Sequence, residues 1–319
     1  MRSAQKGNDD MKIAILGAGA MGSLYASYLA KKNEVTLLDS YEPMVEAVSS
    51  RGITKMEPDG REETFPAKAV LTGTDIGVQD LVIVFVKSIH TYEAVKENAG
   101  LIGADTIVMT LQNGAGNNRD IANFVEKERI IVGTSSHNSV GKGLGRIYHS
   151  GNGPTNIGPD EITERAMERV ETVANNFRAC GLEVNVVENI QRVLWSKLFI
   201  NCGINAMTAI MDSPIGDVYT NSEMWNICKR VVYETVMVAE ADGTFFHRDE
   251  ALELVRKVAV NDATGYSSMW QDRHNKRRTE IDKINGTVVA LGYEYQIDTT
   301  YNKMLVNMMH AIEQSYLKS

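Results

Sequence analysis

KIAILGAGAMGSLYASYLAKKNEVTLLD, residues 12–39, is the stretch whose reading decides the fold. Lys12–Leu16 has the apolar run of a buried strand, Met21–Lys31 has helical periodicity, and Glu34–Leu38 returns to strand character. Between the first strand and the helix stand Gly17, Gly19 and Gly22, a G-x-G-x-x-G. Such a motif alone is weak evidence, and its weight here comes from the strand before it and the helix and strand after it. Gly17 permits a tight turn, Gly19 lets the backbone approach a pyrophosphate, and Gly22 lets helix and strand pack closely. The turn Gly17, Ala18, Gly19, Ala20, Met21 and Gly22 then offers unpaired N–H groups and a partial positive charge to phosphates. A glycine-rich turn without a ligand is the plainer reading, but the complete strand–turn–helix–strand–acid unit favours a bound dinucleotide. Asp39 lies 22 residues after Gly17, near the ~20-residue spacing at which an acid bonds the ribose hydroxyls. A carboxylate there repels a 2′-phosphate and favours NAD over NADP. Capping a helix that begins near Tyr41 is an alternative role, and the two are compatible.

Outward from this unit, Leu81–Val86 is an uninterrupted apolar run of the kind expected of a strand buried on both faces. Thr106–Leu111, Arg129–Val132 and Glu183–Val187 continue the series of strands. Strands alternating with helices imply a parallel sheet covered by helices. Gly141–Pro154 reads as a glycine-cornered hairpin with a strand at Arg146–His149. From Asn189 onward the periodicity is helical, at Gln191–Met211, Ser222–Asp242, Arg248–Val260 and Asp272–Leu291. The expected class is α/β: a Rossmann-type doubly wound parallel sheet over residues 11–187, then an all-α domain over 188–319. Residues 1–10, polar and without period, read as a flexible leader.

The composition limits what such a chain does. Of 319 residues, 43% are hydrophobic and 23% charged, as in ordinary soluble proteins, and no apolar run approaches the ~20 residues of a membrane span. A net charge of −8 argues against nonspecific nucleic-acid binding. Cys180, Cys202 and Cys228 show no Cys-x-x-Cys spacing, and the six histidines include no ligand-spaced pair, so no metal is expected. A cytoplasmic enzyme is the expectation.

In the helical half, Lys197, Asn201 and Asn205 stand at i, i+4 and i+8 and share one helix face among apolar neighbours such as Leu194, Leu198 and Ile204. A polar ladder in a core-like helix costs ~1–3 kcal/mol per unsatisfied buried group unless something pairs with it. An oxyacid is a suitable partner for an ammonium and two amides; a solvated face is the plainer alternative. Farther on, SSMWQDRHNKRRTEID over residues 267–282 has basic residues balanced by Asp272, Glu280 and Asp282 and reads as a solvated helix face.

Taken together, GAGAMG at Gly17–Gly22, FVKS around Lys87, LQNGAG around Asn113, GTSSH at Gly133–His137, WSKLFINCGINAMTAI around Lys197 and the Ser268–Glu280 segment resemble the ketopantoate reductase family over nearly all of residues 11–319. The resemblance implies NAD(P)H-dependent reduction of a 2-keto acid to a D-2-hydroxy acid, with 2-dehydropantoate to pantoate, a step of pantothenate biosynthesis, as the default. It implies that Lys197 is the general acid and that Asn201, Asn205 and Ser268 hold the substrate. Asn113 would lie between cofactor and substrate, Lys87 would line the cofactor site, and Glu280 would contact the cofactor and shape the active site. The substrate is expected in a cleft between the domains, and a homodimer through the helical domain is the expected assembly.

Three positions depart from the family pattern. Ser40, preceded by Asp39, stands where NADPH-using members often carry an arginine. Ile215 and Gly265 stand where polar side chains often bind ketopantoate. An NADH-dependent D-2-hydroxyacid dehydrogenase for branched or aromatic keto acids is therefore the alternative enzyme. A non-catalytic NAD(P) sensor is the alternative of another class, and the ladder around Lys197 speaks against it.

Overall fold

The structure, a computed structural model, describes residues 10–112 and 116–317; nine of the ten expected leader residues, and Asn113, lie outside them. The chain divides into two compact units that part between Ile190 and Gln191.

In the first unit, β1 (Lys12–Leu16), α1 (Ala20–Leu29), β2 (Glu34–Leu38) and α2 (Glu42–Arg51) lead to two short strands of a second sheet, β3 (Ile53–Met56) and β4 (Glu62–Phe65). The main sheet resumes with β5 (Lys68–Val70) and β6 (Leu81–Val84), then α3 (Thr91–Glu97), β7 (Ile107–Thr110), α4 (Asn117–Ile121) and β8 (Ile130–Ser135). A hairpin of β9 (Asn138–Gly141) and β10 (Arg146–Gly151) follows, then β11 (Thr155–Pro159), α5 (Glu164–Ala179) and β12 (Val184–Val186).

The main sheet has the order β12-β11-β8-β7-β6-β1-β2-β5. Its strands are parallel except at β8 and β11, which pair antiparallel, so the expected parallel sheet forms with one antiparallel pairing in it. The cause is the connection. The chain leaves β8 through the β9–β10 hairpin and returns without a helical crossover, and a parallel return requires one. The hairpin itself forms as expected, with a register shift between His149 and Gly151, and it joins a second sheet ordered β4-β3-β10-β9. All four residues of β6 are buried, as are Ile13 to Leu16 of β1. Burial of each such aliphatic side chain contributes about 1.5–3 kcal/mol. Tyr25, a fully buried residue of α1, shares a 2.7 Å hydrogen bond with Thr155 of β11, and burial raises its phenol pKa to about 12.

The second unit is helical: α6 (Ile190–Met211), α7 (Asp217–Thr220), α8 (Ser222–Ala241), α9 (Arg248–Asn261), α10 (Ser268–His274), α11 (Asn285–Tyr295) and α12 (Thr300–Leu317). By length and composition α6 could cross a membrane, yet Phe199, Cys202, Ile204 and Ala206 place it in the middle of this unit's core. A Cβ on its Gly203 would come within 3.0–3.3 Å of Cys228, Val232 and Val255, so α8 and α9 pack against the α6 backbone at that point.

The single helix expected over Asp272–Leu291 is three pieces: the end of α10, a 3-10 turn at Ile281–Lys283, and α11. Lys276 adopts a left-handed φ of 53°, and the Arg277 N–H returns to the Asp272 carbonyl, the closure that ends a helix. Glu313 of α12 then accepts from both the N–H and the hydroxyl of Thr279 at 2.7 Å, pinning the intervening loop. Glu234 of α8 works similarly at the start of α12, accepting from the N–H groups of Tyr301 and Asn302, where a carboxylate complements the helix dipole.

Candidate functional site

Local chemistry shapes the glycine turn. Gly17 has φ +107°, and a Cβ there would lie 2.8 Å from the Val86 nitrogen. A Cβ on Gly22 would sit 1.9 Å from the Gly17 carbonyl oxygen, so only glycine lets α1 start this close to β1. Gly19 differs, because a Cβ on it meets nothing within 4 Å. Its backbone faces open space at the start of α1, which no side chain caps. Ala20 and Met21 follow as the first residues of that helix, so their N–H groups stand at an uncapped helix start of the kind that can receive a phosphate.

The Asp39 carboxylate closes an Asx turn just ahead of α2, whose N-cap Tyr41 makes no side-chain cap bond. One oxygen accepts from the Ala18 N–H at 2.9 Å and the other from the Tyr41 N–H at 3.0 Å, which locks the first turn to the end of β2. Each oxygen keeps a further lone pair for a ribose hydroxyl. Asp39 also lines a cavity of about 340 Å³ together with Gly17, Ser40, Leu71, Val86 and Ala94. That cavity lies at the carboxyl ends of β1, β2 and β6, where ligands bind in sheets of this type. Glycine turn, uncapped helix start, carboxylate and cavity together suit a dinucleotide. Lys87 is exposed and immediately precedes the 3-10 turn Ser88–His90 beyond β6. Gln112, not singled out from the sequence, ties the loops after β6 and β7 together by donating to the Val86 carbonyl at 2.6 Å and bonding Thr91. Asn113 follows it, outside the described residues.

In the helical unit, Lys197, Asn201 and Asn205 fall within the unbroken α6 and therefore share a face. Lys197 and Asn201 are half-buried and Asn205 is buried. Trp195, Leu198 and Phe199 beside them are core residues. Burial lowers the Lys197 pKa below the ordinary lysine value, and the Glu280 carboxylate works against that shift by favouring the ammonium. The structure thus brings Lys197 and Glu280, 83 positions apart in sequence, into one electrostatic environment.

Ser268 is exposed at the first position of α10. Its neighbour Ser267 is the buried one: it caps α10 by accepting from the Trp270 N–H at 3.1 Å, and its hydroxyl lies 2.8 Å from that of Thr208 on α6. The Ser267 hydroxyl also donates to the Asn205 carbonyl at 3.4 Å, tying α10 to the ladder helix. From sequence the two serines are indistinguishable, and a serine preceding the helical run was the available capping signal. Ile215 is buried in the core, and its N–H donates to the Gly265 carbonyl at 2.9 Å, so the two departures from the family pattern face each other.

His137, inside the GTSSH segment, heads a buried chain of polar groups. Its Nδ1 lies 3.1 Å from His149 Nε2, His149 Nδ1 lies 3.1 Å from Glu57, and Lys55 pairs with Glu57 at 2.9 Å. Burial, with His149 and Lys55 adding to it, lowers the His137 pKa to about 4, so at neutral pH its ring is uncharged. The chain spans β3, β10 and the end of β8, and nothing in sequence spacing brings those positions together. Among the described residues no group of three His, Cys, Asp or Glu could hold a metal ion.

Comparison with known proteins agrees with this geometry. The family model "Ketopantoate reductase PanE/ApbA" matches residues 13–161, and "Ketopantoate reductase PanE/ApbA C terminal" matches residues 189–313. The chain is 32% identical to a 2-dehydropantoate 2-reductase of Halobacterium salinarum over 305 residues, covering 95% of this chain and 99% of that protein. A structure of D-mandelate dehydrogenase with NADH and anilino(oxo)acetate superposes with TM-score 0.87 at 28% identity, covering 96% of this chain and all of that one. A PanE/ApbA family ketopantoate reductase of Ralstonia eutropha gives TM-score 0.85 at 28% identity, with 96% and 100% covered. With both halves matched in order and over nearly their full length, the chain belongs to the ketopantoate reductase family of NAD(P)-dependent oxidoreductases.

Proposed function

We propose that this protein reduces a 2-keto acid to the D-2-hydroxy acid with NAD(P)H, and that Lys197 delivers the proton, with 2-dehydropantoate as the first substrate to test. Lys197 carries the reading: an amine on a core helix, its pKa lowered by burial, with two amides along its face and a carboxylate in reach. Bound NAD(P)H supplies hydride to the carbonyl carbon. Negative charge then builds on the carbonyl oxygen, where the ammonium stabilises it and gives up its proton. Burial eases that transfer by lowering the Lys197 pKa, while Glu280 keeps the group charged until it is needed. The amides of Asn201 and Asn205 donate to the substrate carboxylate and accept from its hydroxyl, and Ser268 adds a contact from α10. On the cofactor side, Gly17 to Gly22 take the pyrophosphate, Asp39 the ribose, and Lys87 with Asn113 the nicotinamide end.

A second reading of the substrate rests on Ile215. This buried apolar side chain stands where the family often has a polar contact, and it suits a branched or aromatic tail better than the ketopantoate hydroxyl. The D-mandelate dehydrogenase likeness supports the same reading. Oxidation of NADH or NADPH followed with ketopantoate, 2-ketoisovalerate and phenylglyoxylate separates the two substrates. Lys197→Ala is expected to lower turnover at least ~100-fold while dinucleotide binding survives. Tight dinucleotide binding without turnover on any of the three acids, or near-normal turnover by Lys197→Ala, overturns the proposal.

A further inference from the structure

The cavity beside the glycine turn is also lined by residues of α3. Its charges are one-sided. Of the twelve residues around the cavity, Asp39, Glu93 and Glu97 carry carboxylates and none is lysine or arginine. Asp39 is held rigidly by its two backbone donors. Glu93 and Glu97 are four positions apart at the end of α3, so their side chains stand on one face of it. Glu93 leans toward the Lys96 ammonium at 3.8 Å, a partner on its own helix. Glu97 is exposed and makes no ion pair among the described residues.

We propose that Glu97, acting with Asp39 in the same cavity lining, is a specificity-determining residue that admits a dinucleotide with a free ribose 2′-hydroxyl and excludes one carrying a 2′-phosphate. The proposal rests on the dinucleotide reading of this cavity. A carboxylate accepts a hydrogen bond from a hydroxyl and thereby favours the unphosphorylated ribose. A phosphate ester carries a charge of about −1.5 to −2 at neutral pH and would face three carboxylates with His90 as the lining's one ionisable base and no lysine or arginine beside it. Discrimination by a built-in repulsion is the cheap way to reject a larger, more charged analogue. Ser40, in the same lining, offers a hydroxyl and no charge. The selection thus draws on two elements: Asp39 after β2 repels a phosphate near the turn, and Glu97 of α3 repels one that shifts toward that helix.

The test measures binding without turnover. NADH and NADPH are titrated into the full-length protein and into Glu97→Gln and Glu97→Arg, following nicotinamide fluorescence, at low and at high salt. The expected result is at least ~30-fold tighter binding of NADH by the unaltered protein, with the ratio shrinking as salt screens the exposed charge. Glu97→Gln is expected to narrow the ratio several-fold by strengthening NADPH binding, and Glu97→Arg to narrow it further or invert it, with NADH affinity changed by less than ~3-fold. Equal affinity of the unaltered protein for both dinucleotides overturns this assignment alone, as does a Glu97→Gln effect equal on both. Binding of neither dinucleotide overturns the cofactor reading and this one with it.

Discussion

Burial and Glu280 act in opposite directions on the charge of Lys197. Burial depresses the lysine pKa and the Glu280 carboxylate raises it, so the net position reflects both. The proposed proton donor works while protonated, so reduction is expected to fail as pH rises through the Lys197 pKa. Glu280→Gln removes the influence that raises that pKa; the basic limb of the kcat/KM profile must therefore move to lower pH. A pH series of reductase rates for the two proteins checks this, and a limb that stays put or moves upward refutes the pairing. The ladder residues were legible in sequence because a helix spaces them at i, i+4 and i+8. The Ser267 cap was not, because two adjacent serines differ only in which one the start of α10 turns inward. Nor was the His137–His149–Glu57–Lys55 chain, whose members meet only after two strands of the second sheet have paired.

Within the β1–α1 element the three glycines have different physical duties, and substitution separates them. Gly22→Ala forces a methyl to 1.9 Å from the Gly17 carbonyl, and a loss of at least about 3 kcal/mol of stability is expected, beyond ordinary overpacking. Gly19→Ala meets no protein atom, and its φ of −67° suits any residue. Its stability cost should stay within about 1 kcal/mol, the scale of a weakened helix cap. Because its methyl points where the pyrophosphate is proposed to approach, dinucleotide affinity should fall at least ~10-fold. Urea unfolding together with fluorescence titration of the two variants distinguishes these outcomes, and unchanged affinity in Gly19→Ala counts against the placement of the phosphates. The break between α10 and α11 shows the opposite case. Periodicity from Asp272 to Leu291 suggested one helix, and a left-handed Lys276 with two bonds from Thr279 to Glu313 ended it. Contacts from a helix 34 residues downstream outweighed the local pattern.

At the scale of the whole molecule, all described strands belong to the first unit, while Trp195, Trp225 and Trp270 all belong to the second. Two optical signals therefore report the two units separately. A ligand at 100 times its Kd stabilises the structure that binds it by about 2.7 kcal/mol. NADH at that level is expected to raise the melting midpoint of the strand band in the infrared by about 5–10 °C. Tryptophan fluorescence, recorded alongside, tells whether the helical unit follows. A strand-band midpoint indifferent to NADH speaks against a dinucleotide site on the α/β unit.

Local patterns were enough for the β1–α1–β2 unit, the change from strands to helices near residue 188, and the polar face of α6. In each of these the spacing of apolar, glycine and charged residues along the chain already obeys a 2.0 or 3.6 period. Tertiary packing decided the antiparallel turn at β11, the second sheet, the split of the late helix and the meeting of the α3 carboxylates with Asp39 in one cavity lining. Those features depend on which distant segments meet, and no periodicity records the free energy of contacts between residues far apart in sequence.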